Sequence, residues 1–393
     1  MIIVHALFLL LFIYLAANVG WFLIVAFAGK FGAFKQYKVA ERKNRIAVII
    51  PSYKEDAIIV DTAEKAAHHN YPAACFSVVV VADKLQAATV EKLRAIPVQV
   101  IEVDANMKSR SVNAALHQLD AASFDIAVLL DADNIMGTDC LEKINDAFTQ
   151  GCRAVQCHRT AKNQHTPVAL LDAISEEINI NLFRRGPAAM GISPAPIGSG
   201  MAFEFALLKQ IFSVEHILSN PGEDREIDMQ LMKQRIFMHY IDDAYVYDEK
   251  VASSGVFEKQ RVRWLEAQIN HLRRFFDPEM KDAPKTPNYY IKFFQTLLLP
   301  RLLLIMILGL LSFVLVLQWV LHFSLLFPAD SWWISLIVLY ALVLLLSVPR
   351  RFYNGDTMRA VMKVPGLMLA MLRALLRVKT GRKEFLHTPK EFK

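Results

Sequence analysis

Asp125-Ile126-Ala127-Val128-Leu129-Leu130-Asp131-Ala132-Asp133 decides the reading of the rest of the chain. The apolar, β-branched run Ile126–Leu130 predicts a buried strand. A parallel strand covered on both faces must be nearly all apolar, and ligands collect beyond its carboxyl end. Asp131 and Asp133, at i and i+2 just past that end, can converge on one hard cation. Mg²⁺ or Mn²⁺ suits such a pair, because either keeps most of its shell for water and a diphosphate. An Asp-rich turn capping the next element would leave the same tripeptide.

Upstream, the pattern repeats. Ile46–Ile50 reads as a first strand ended by Pro51-Ser52-Tyr53-Lys54-Glu55-Asp56, with Ser52 or Asp56 capping a helix from about Ala57 to Asn70. Phe76–Val81 is a second strand, ending at Ala82-Asp83, and Ala87–Ala95 a helix. Val98–Val103 is a third strand, and Lys108 opens the helix that leads to the central strand. This βαβαβαβ order predicts an α/β fold with a doubly wound, parallel sheet. Tyr53 and Glu55, Asp83, and Asp131 with Asp133 would then share one sheet edge. An aromatic face, a row of acids and a cation are what a nucleotide needs. GxGxxG and GxxxxGK[ST] are missing from the sequence, which disfavours a dinucleotide or P-loop site.

The 393 residues are 54% hydrophobic, too apolar for an ordinary soluble enzyme, and the excess lies at the two ends. Residues 2–29 hold no Lys, Arg, Asp or Glu. As a helix they span roughly 42 Å, enough to cross a bilayer with tilt. Lys30, Lys35, Lys38, Arg42, Lys43 and Arg45 follow, which predicts an external N-terminus and a cytoplasmic domain after it. A second span fits Phe293–Leu321, starting nearer Leu302 with Arg301 snorkelling to the interface. The loop His322–Asp330 has no Lys or Arg and should be external. A third span, Ser331–Val348, begins at the aromatic belt Trp332-Trp333 and stops at Arg350-Arg351. Residues 357–378 interleave Arg and Lys with Leu and Met, which predicts a helix lying in the interface.

The net charge of +6 gathers around the spans, so anionic lipid accounts for it and nucleic acid is not an expected partner. Cys75, Cys140, Cys152 and Cys157 have no zinc spacing and are expected as free thiols.

Later segments carry further candidates, each with a plainer alternative. His158-Arg159, ending the strand-like run from Ala154, are expected as a satisfied surface pair or as phosphate contacts. Gly198-Ser199-Gly200 is a turn entering an apolar strand, either a hairpin or a place for close substrate approach. Glu223-Asp224, before the amphipathic run Ile227–Met232, suit a helix dipole or supply a general base. Lys259-Gln260-Arg261-Val262-Arg263-Trp264 lies on an amphipathic helix reaching Arg274. A basic helix on lipid explains the charges there, but not Gln and Trp together.

In this order and spacing, the pieces resemble the membrane-embedded glycosyltransferases of family 2, the cellulose, hyaluronan and poly-N-acetylglucosamine synthases among them. The resemblance runs from about residue 45 to 393. It implies a GT-A-type, mostly parallel sheet with transmembrane helices before and after it and amphipathic interface helices. It implies Tyr53, Glu55, Asp83 and Lys108 in a UDP-sugar pocket, with Asp131 and Asp133 on UDP and Mg²⁺ or Mn²⁺. Asp224 would be the catalytic base. Gly198, Ser199, Gly200 and Glu223 would face the acceptor. Gln260, Arg263 and Trp264 match QxxRW, with Arg263 at the diphosphate and Trp264 under the acceptor sugar. Phe385-Leu386-His387-Thr388-Pro389-Lys390 resembles the gating loop FxVTxK, bringing Thr388 and Lys390 to the donor. His387 stands where that pattern has Val, and Gly222 where many members have Thr.

The organisation expected is a span over 1–29, a basic connector over 30–45, a cytoplasmic domain over 46–255, QxxRW interface helices over 256–290, two spans over 291–349, an interfacial helix over 350–380 and a gating-type tail over 381–393. The expected activity is inverting transfer from a UDP-sugar to a growing, exported β-glycan. Single addition to a lipid, as in ceramide glucosyltransferase, is the alternative. The expected setting is a bacterial inner (plasma) membrane, with membrane lipids and an export or oligomer partner as further contacts.

Overall fold

The computed structural model describes residues 2–220, 222–250 and 254–377. The chain opens with one helix, α1 (Ile2–Phe31), buried along Leu15, Val19, Phe22 and Ala26. That spacing is one helical stripe. The sheet follows as β1 (Ile46–Tyr53), α2 (Ile59–Ala67), β2 (Phe76–Asp83), α3 (Ala87–Arg94), β3 (Gln99–Val103), α4 (Lys108–Gln118) and β4 (Ile126–Leu129). These four strands are parallel, as the apolar runs predict, in the order β3-β2-β1-β4. The register puts Tyr53 opposite Asp83, and Ile49 opposite both Val79 and Leu129. The carboxyl ends therefore share one edge.

The helix after β1 is not capped as expected. It starts at Ile59 behind Ile58, whose side chain makes no cap bond. Ser52 is buried inside β1, and Asp56 instead accepts the Gln86 backbone N–H at 2.7 Å. No glycine shapes these turns. Lys54, Lys84 and Asn106, just past the first three strands, all hold left-handed φ of 56–57°. Such backbone costs roughly 1–2 kcal/mol per non-glycine residue, and strain of this kind gathers at functional edges.

The second half of the sheet is mixed. It contains β5 (Ile135–Met136), α5 (Cys140–Thr149), β6 (Ala154–Ala161) and α6 (Pro167–Ile180), continued by a π-helical turn, Asn181–Arg185, and α7 (Gly186–Ala189). Then come β7 (Met201–Glu204), α8 (Phe205–Phe212), α9 (Glu215–Leu218), α10 (Glu223–Lys233) and β8 (Met238–Asp248). β7 enters antiparallel between β4 and β6, β6 and β8 run parallel, and β5 closes the edge antiparallel to β8.

Alternate residues of β1 feed opposite cores. Ile46, Val48 and Ile50 pack with Ile59, Ala63 and Ile144 on one face. Ala47 and Ile49 pack with Val112, Leu116 and Phe203 on the other. Each fully buried Ile or Val side chain stabilises by roughly 1.5–3 kcal/mol.

The chain then turns helical: α11 (Ser254–Arg274), α12 (Pro287–Leu297), α13 (Arg301–Leu321), α14 (Asp330–Ser347), α15 (Gly355–Val361) and α16 (Val364–Arg377). Among the described residues α1, α13 and α14 are long and apolar enough to cross a membrane. α16, at 14 residues, is roughly 21 Å long, short of the bilayer core. The helix boundary at Pro300-Arg301 falls where the sequence places it, but Arg301 turns inward. Its guanidinium donates to Asn179 Oδ1 at 3.1 Å and to the Ser175 carbonyl at 2.8 Å. A protein partner for all these donors replaces the expected reach to the interface.

A third core joins α1, α13 and α14 to α6. Close contact there needs glycine: a Cβ on Gly186 would lie 2.2 Å from the Val25 carbonyl oxygen. The four cysteines are free.

Candidate active site

Lys108 is the knot of the site. Its ammonium lies 2.6 Å from Asp131 Oδ1 and 2.9 Å from Glu223 Oε1, and donates to the Gly198 carbonyl at 2.6 Å. One side chain thus ties the end of β4, the turn before β7 and the first turn of α10. Burial works to lower the Lys108 pKa, but Asp131 and Glu223 outweigh it and raise it. Burial pushes the Glu223 carboxyl up, against the pull of Lys108. Asp224 is the next residue of α10, and a Cβ on Gly198 would lie 3.7 Å from Glu223 Oε1 and 3.9 Å from Asp224 Cβ. With φ of +88°, Gly198 also holds a conformation that favours glycine. Residues 131 and 223, remote in sequence, are therefore joined through Lys108, with Asp224 beside them on the same cleft wall. Glu223 and Asp224 occupy the first turn of α10 rather than preceding it, the end of a helix that attracts negative charge.

These groups line a cleft of about 1320 Å³. Tyr53, Glu55, Lys108, Asp131, Asp133, Gly198, Glu223, Asp224, Gln260, Arg263 and Trp264 are all on its wall. Arg263 feels Glu223, Asp131 and Asp224, though burial, the larger effect, lowers its pKa. The Arg261 guanidinium stacks 4.1 Å from the Trp264 ring centre and pairs with Asp172 at 2.9 Å, which fixes the indole.

Three expected residues sit behind the wall. Asp83 is fully buried, with Oδ2 bonded by the Asn106 N–H at 2.7 Å and the Ser111 hydroxyl at 3.2 Å. Its Oδ1 has no hydrogen-bond partner, and burial raises its pKa. Ser199 accepts the Asp131 N–H at 2.9 Å and donates to Asn134 Oδ1. Gly200 leaves room for Val246, whose Cγ2 would be 3.0 Å from a Cβ there. Of the three residues of this turn, Gly198 alone lines the cleft. Thr388 and Lys390, with the rest of the gating-type motif, lie outside the described residues.

His158 and Arg159 are not a surface pair, because the β6 segment that carries them is an inner strand. Arg159 pairs with Glu176 at 3.1 Å. A buried polar chain, not apparent in the sequence, reaches the acids from there. Asn134 Nδ2 donates to Asp133 Oδ1 at 3.1 Å and Asp248 Oδ1 at 3.0 Å, Lys250 bridges Asp248 and Glu176, and Glu176 meets Arg159. Burial works to raise the Glu176 pKa, yet Arg159 and Lys250 bring it down to about 2. These residues come from separate elements and carry no local motif; the one signal was the pair at 158–159.

The donor set suits Mg²⁺ or Mn²⁺. Asp131 and Asp133 both face the cleft, and among the described residues no cluster of three or more His, Cys, Asp or Glu forms an all-protein cage. Two carboxylates leave the remaining positions to water and phosphate, as these ions prefer.

An acid-rimmed cleft at the carboxyl edge of such a sheet, crossed by a lysine and an arginine, defines a nucleotide-sugar transferase site. The model of the family described as Glycosyltransferase like family 2 matches residues 44–267, more than half of the 393-residue chain, and the chain belongs to that family. Its fold is similar to that of the mannosyltransferase PcManGT from Pyrobaculum calidifontis, solved with GDP-Man and Mn²⁺. That match covers 93% of this chain and 97% of the other at 17% identity and a TM-score of 0.56. Glucosyl-3-phosphoglycerate synthase from Mycobacterium tuberculosis, solved with Mn²⁺, UDP-glucose and phosphoglyceric acid, matches 61% of this chain and 85% of its own at 13% identity and a TM-score of 0.42. No curated protein sequence matches.

Proposed function

We propose that this glycosyltransferase moves a hexosyl group from a UDP-sugar, with inversion, to a hydroxyl on a membrane-borne acceptor at the cytoplasmic face. One observation carries the reading: Asp131, Lys108, Glu223 and Asp224 share a cleft with side chains of α13. Donor and membrane meet in one cavity.

Tyr53 and Glu55 would hold the nucleoside, and Lys108 and Arg263 the diphosphate. Asp131 and Asp133 would hold a divalent cation, of the kind present with GDP-Man in the mannosyltransferase, and bound there it neutralises charge on the departing diphosphate. Asp224 takes the proton from the acceptor hydroxyl as that oxygen attacks the anomeric carbon. The new C–O bond forms opposite the bond to UDP, which breaks, so an α-linked donor gives a β-linked product. Arg263 stabilises the leaving oxygens.

For the acceptor, the sequence favours an exported glycan chain. The cleft favours the alternative, one addition to a lipid. Leu302 and Ile305 of α13, Leu344 of α14 and Val348 also line it. Aliphatic walls suit an acyl or prenyl chain better than a hydrated polysaccharide. The test is product analysis. The purified full-length protein in nanodiscs receives radiolabelled UDP-sugars, with GDP-sugars alongside. A single lipid-extractable sugar is expected. A polymer ladder would overturn the lipid reading, and no nucleotide release with any donor would overturn transfer itself.

A further inference from the structure

We infer that a second subsite, formed by Asp228, His271 and Lys292, binds a hydroxyl-rich acceptor head, so that the acceptor is a lipid carrying a sugar or polyol. The inference rests on the transfer reading above and extends it past the reacting atoms.

Asp228 follows Asp224 on α10 by one turn, a rise of roughly 6 Å along the helix. His271 lies two turns beyond Trp264 on α11. Lys292 comes from α12. All three line the cleft, yet none is more than 6% exposed. The Lys292 ammonium donates to both Asp228 oxygens, at 2.8 and 2.9 Å, which leaves a third N–H and further carboxylate lone pairs to bond elsewhere.

A buried ion pair is a poor stabiliser: an apolar pair of equal volume is often neutral or better. Its place on the wall of a substrate cleft therefore points to use by the substrate. His271 supplies the independent observation. Its Nδ1 is buried without a hydrogen-bond partner. Burial, then the charges of Arg225, Lys292 and Arg274, lower its pKa well below the usual range, so the ring is neutral. A neutral imidazole offers one donor and one acceptor, the pairing that hydroxyls use.

The groups thus fall in sequence along one cavity. The base Asp224 meets the attacking hydroxyl. One turn on, Asp228, Lys292 and His271 meet the rest of the head. Leu302 and Ile305 then meet the chain. A simple long-chain alcohol would leave the polar groups unmatched, and a free sugar would leave the apolar arm empty.

The test compares three acceptors with the full-length protein in nanodiscs: dodecyl β-glucoside, free glucose and dodecanol, each with the donor that turns over. The glucoside is expected to exceed both others at least tenfold in kcat/KM. The double variant Asp228→Leu/Lys292→Met, which removes the charges as a pair, should abolish that preference. UDP affinity measured alongside reports whether the donor end is folded. His271→Phe, which keeps an aromatic ring beside Phe275, should raise KM for the glucoside more than it lowers kcat. Dodecanol turning over as well as the glucoside would overturn the polar subsite. Free glucose doing so would overturn the lipid. Absence of donor turnover with every acceptor would instead sink the transfer reading beneath both.

Discussion

At the end of the cleft proposed for the donor, acids stand where parallel strands stop. At the end proposed for the acceptor, the charged groups stand on α10, α11 and α12, which pack on the sheet, on one another and on α13 and α16. The first arrangement is set by strand register, which places Tyr53 beside Asp83 to within a residue. The second is set by helix packing, which tolerates variation of angle and distance. The two ends should therefore fail separately. Asp224 is where they touch, and its loss has the largest expected effect. Asp224→Asn should lower transfer by about 10²–10⁴-fold with UDP affinity retained. Turnover near that of the parent chain would take the base away from Asp224.

Alkaline pH should act next, through a buried histidine on β6 that lies outside the cleft wall. His158 sits between Glu177 of α6 and Asp242 of β8, at 3.6 and 3.5 Å, with Arg185 on Asp242 and Arg351 on Glu177. Burial works to lower the His158 pKa, but the two carboxylates raise it from 6.5 to about 9. A raised pKa stabilises the fold fully below 6.5, and that stabilisation is lost as pH rises through about 9. The loss amounts to about 3 kcal/mol. Thermal unfolding should show Tm falling across that window, and His158→Gln should flatten the fall. An equally steep fall in the variant would assign the effect to other groups.

Why one end is legible in sequence and the other is not follows from the same contrast. An apolar run with an acid after it states both a strand and its functional edge, so Tyr53, Glu55, Asp131 and Asp133 were readable from local pattern. Asp228 looks like any acid on an amphipathic helix; only the meeting with Lys292, 64 residues on, distinguishes it. The mixed half of the sheet was hidden for a related reason. β7 has four residues, and nothing local tells which way it enters beside β4. The reversal at β7 depends on Gly198 and Gly200 with positive φ and on tertiary contacts to Lys108 and Val246. Even at the donor edge, the left-handed turns at Lys54 and Lys84 lack the glycine that would announce them.

A donor-side change of intermediate size sharpens the separation. Asp133→Ala should weaken UDP binding in Mn²⁺ by about tenfold or more, and leave the affinity measured in EDTA where the parent chain has it. If removing Mn²⁺ does not change UDP affinity in the parent, the cation drops out of donor binding, and the two carboxylates act on UDP by some other route.

The smallest effect belongs to the acceptor end and to a residue far from any motif. Between α12 and α13 the backbone leaves helical geometry at Leu298, and Pro300 has no N–H to restore the ladder. Open backbone at membrane level is costly unless protein groups satisfy it. Asn18 of α1, only 1% exposed, accepts the Leu299 N–H at 2.8 Å; Tyr14 donates to the Leu297 carbonyl at 2.7 Å, and Gln268 to that of Leu298 at 2.8 Å. Leu298, Leu299 and Pro300 are also cleft wall. Asn18→Leu would strand one N–H, at a cost of about 1–2 kcal/mol. It should loosen that wall, raising acceptor KM severalfold while UDP affinity holds. An equal loss in UDP affinity would mean that the first span supports both ends alike, and the separation of donor edge from acceptor helices would fail.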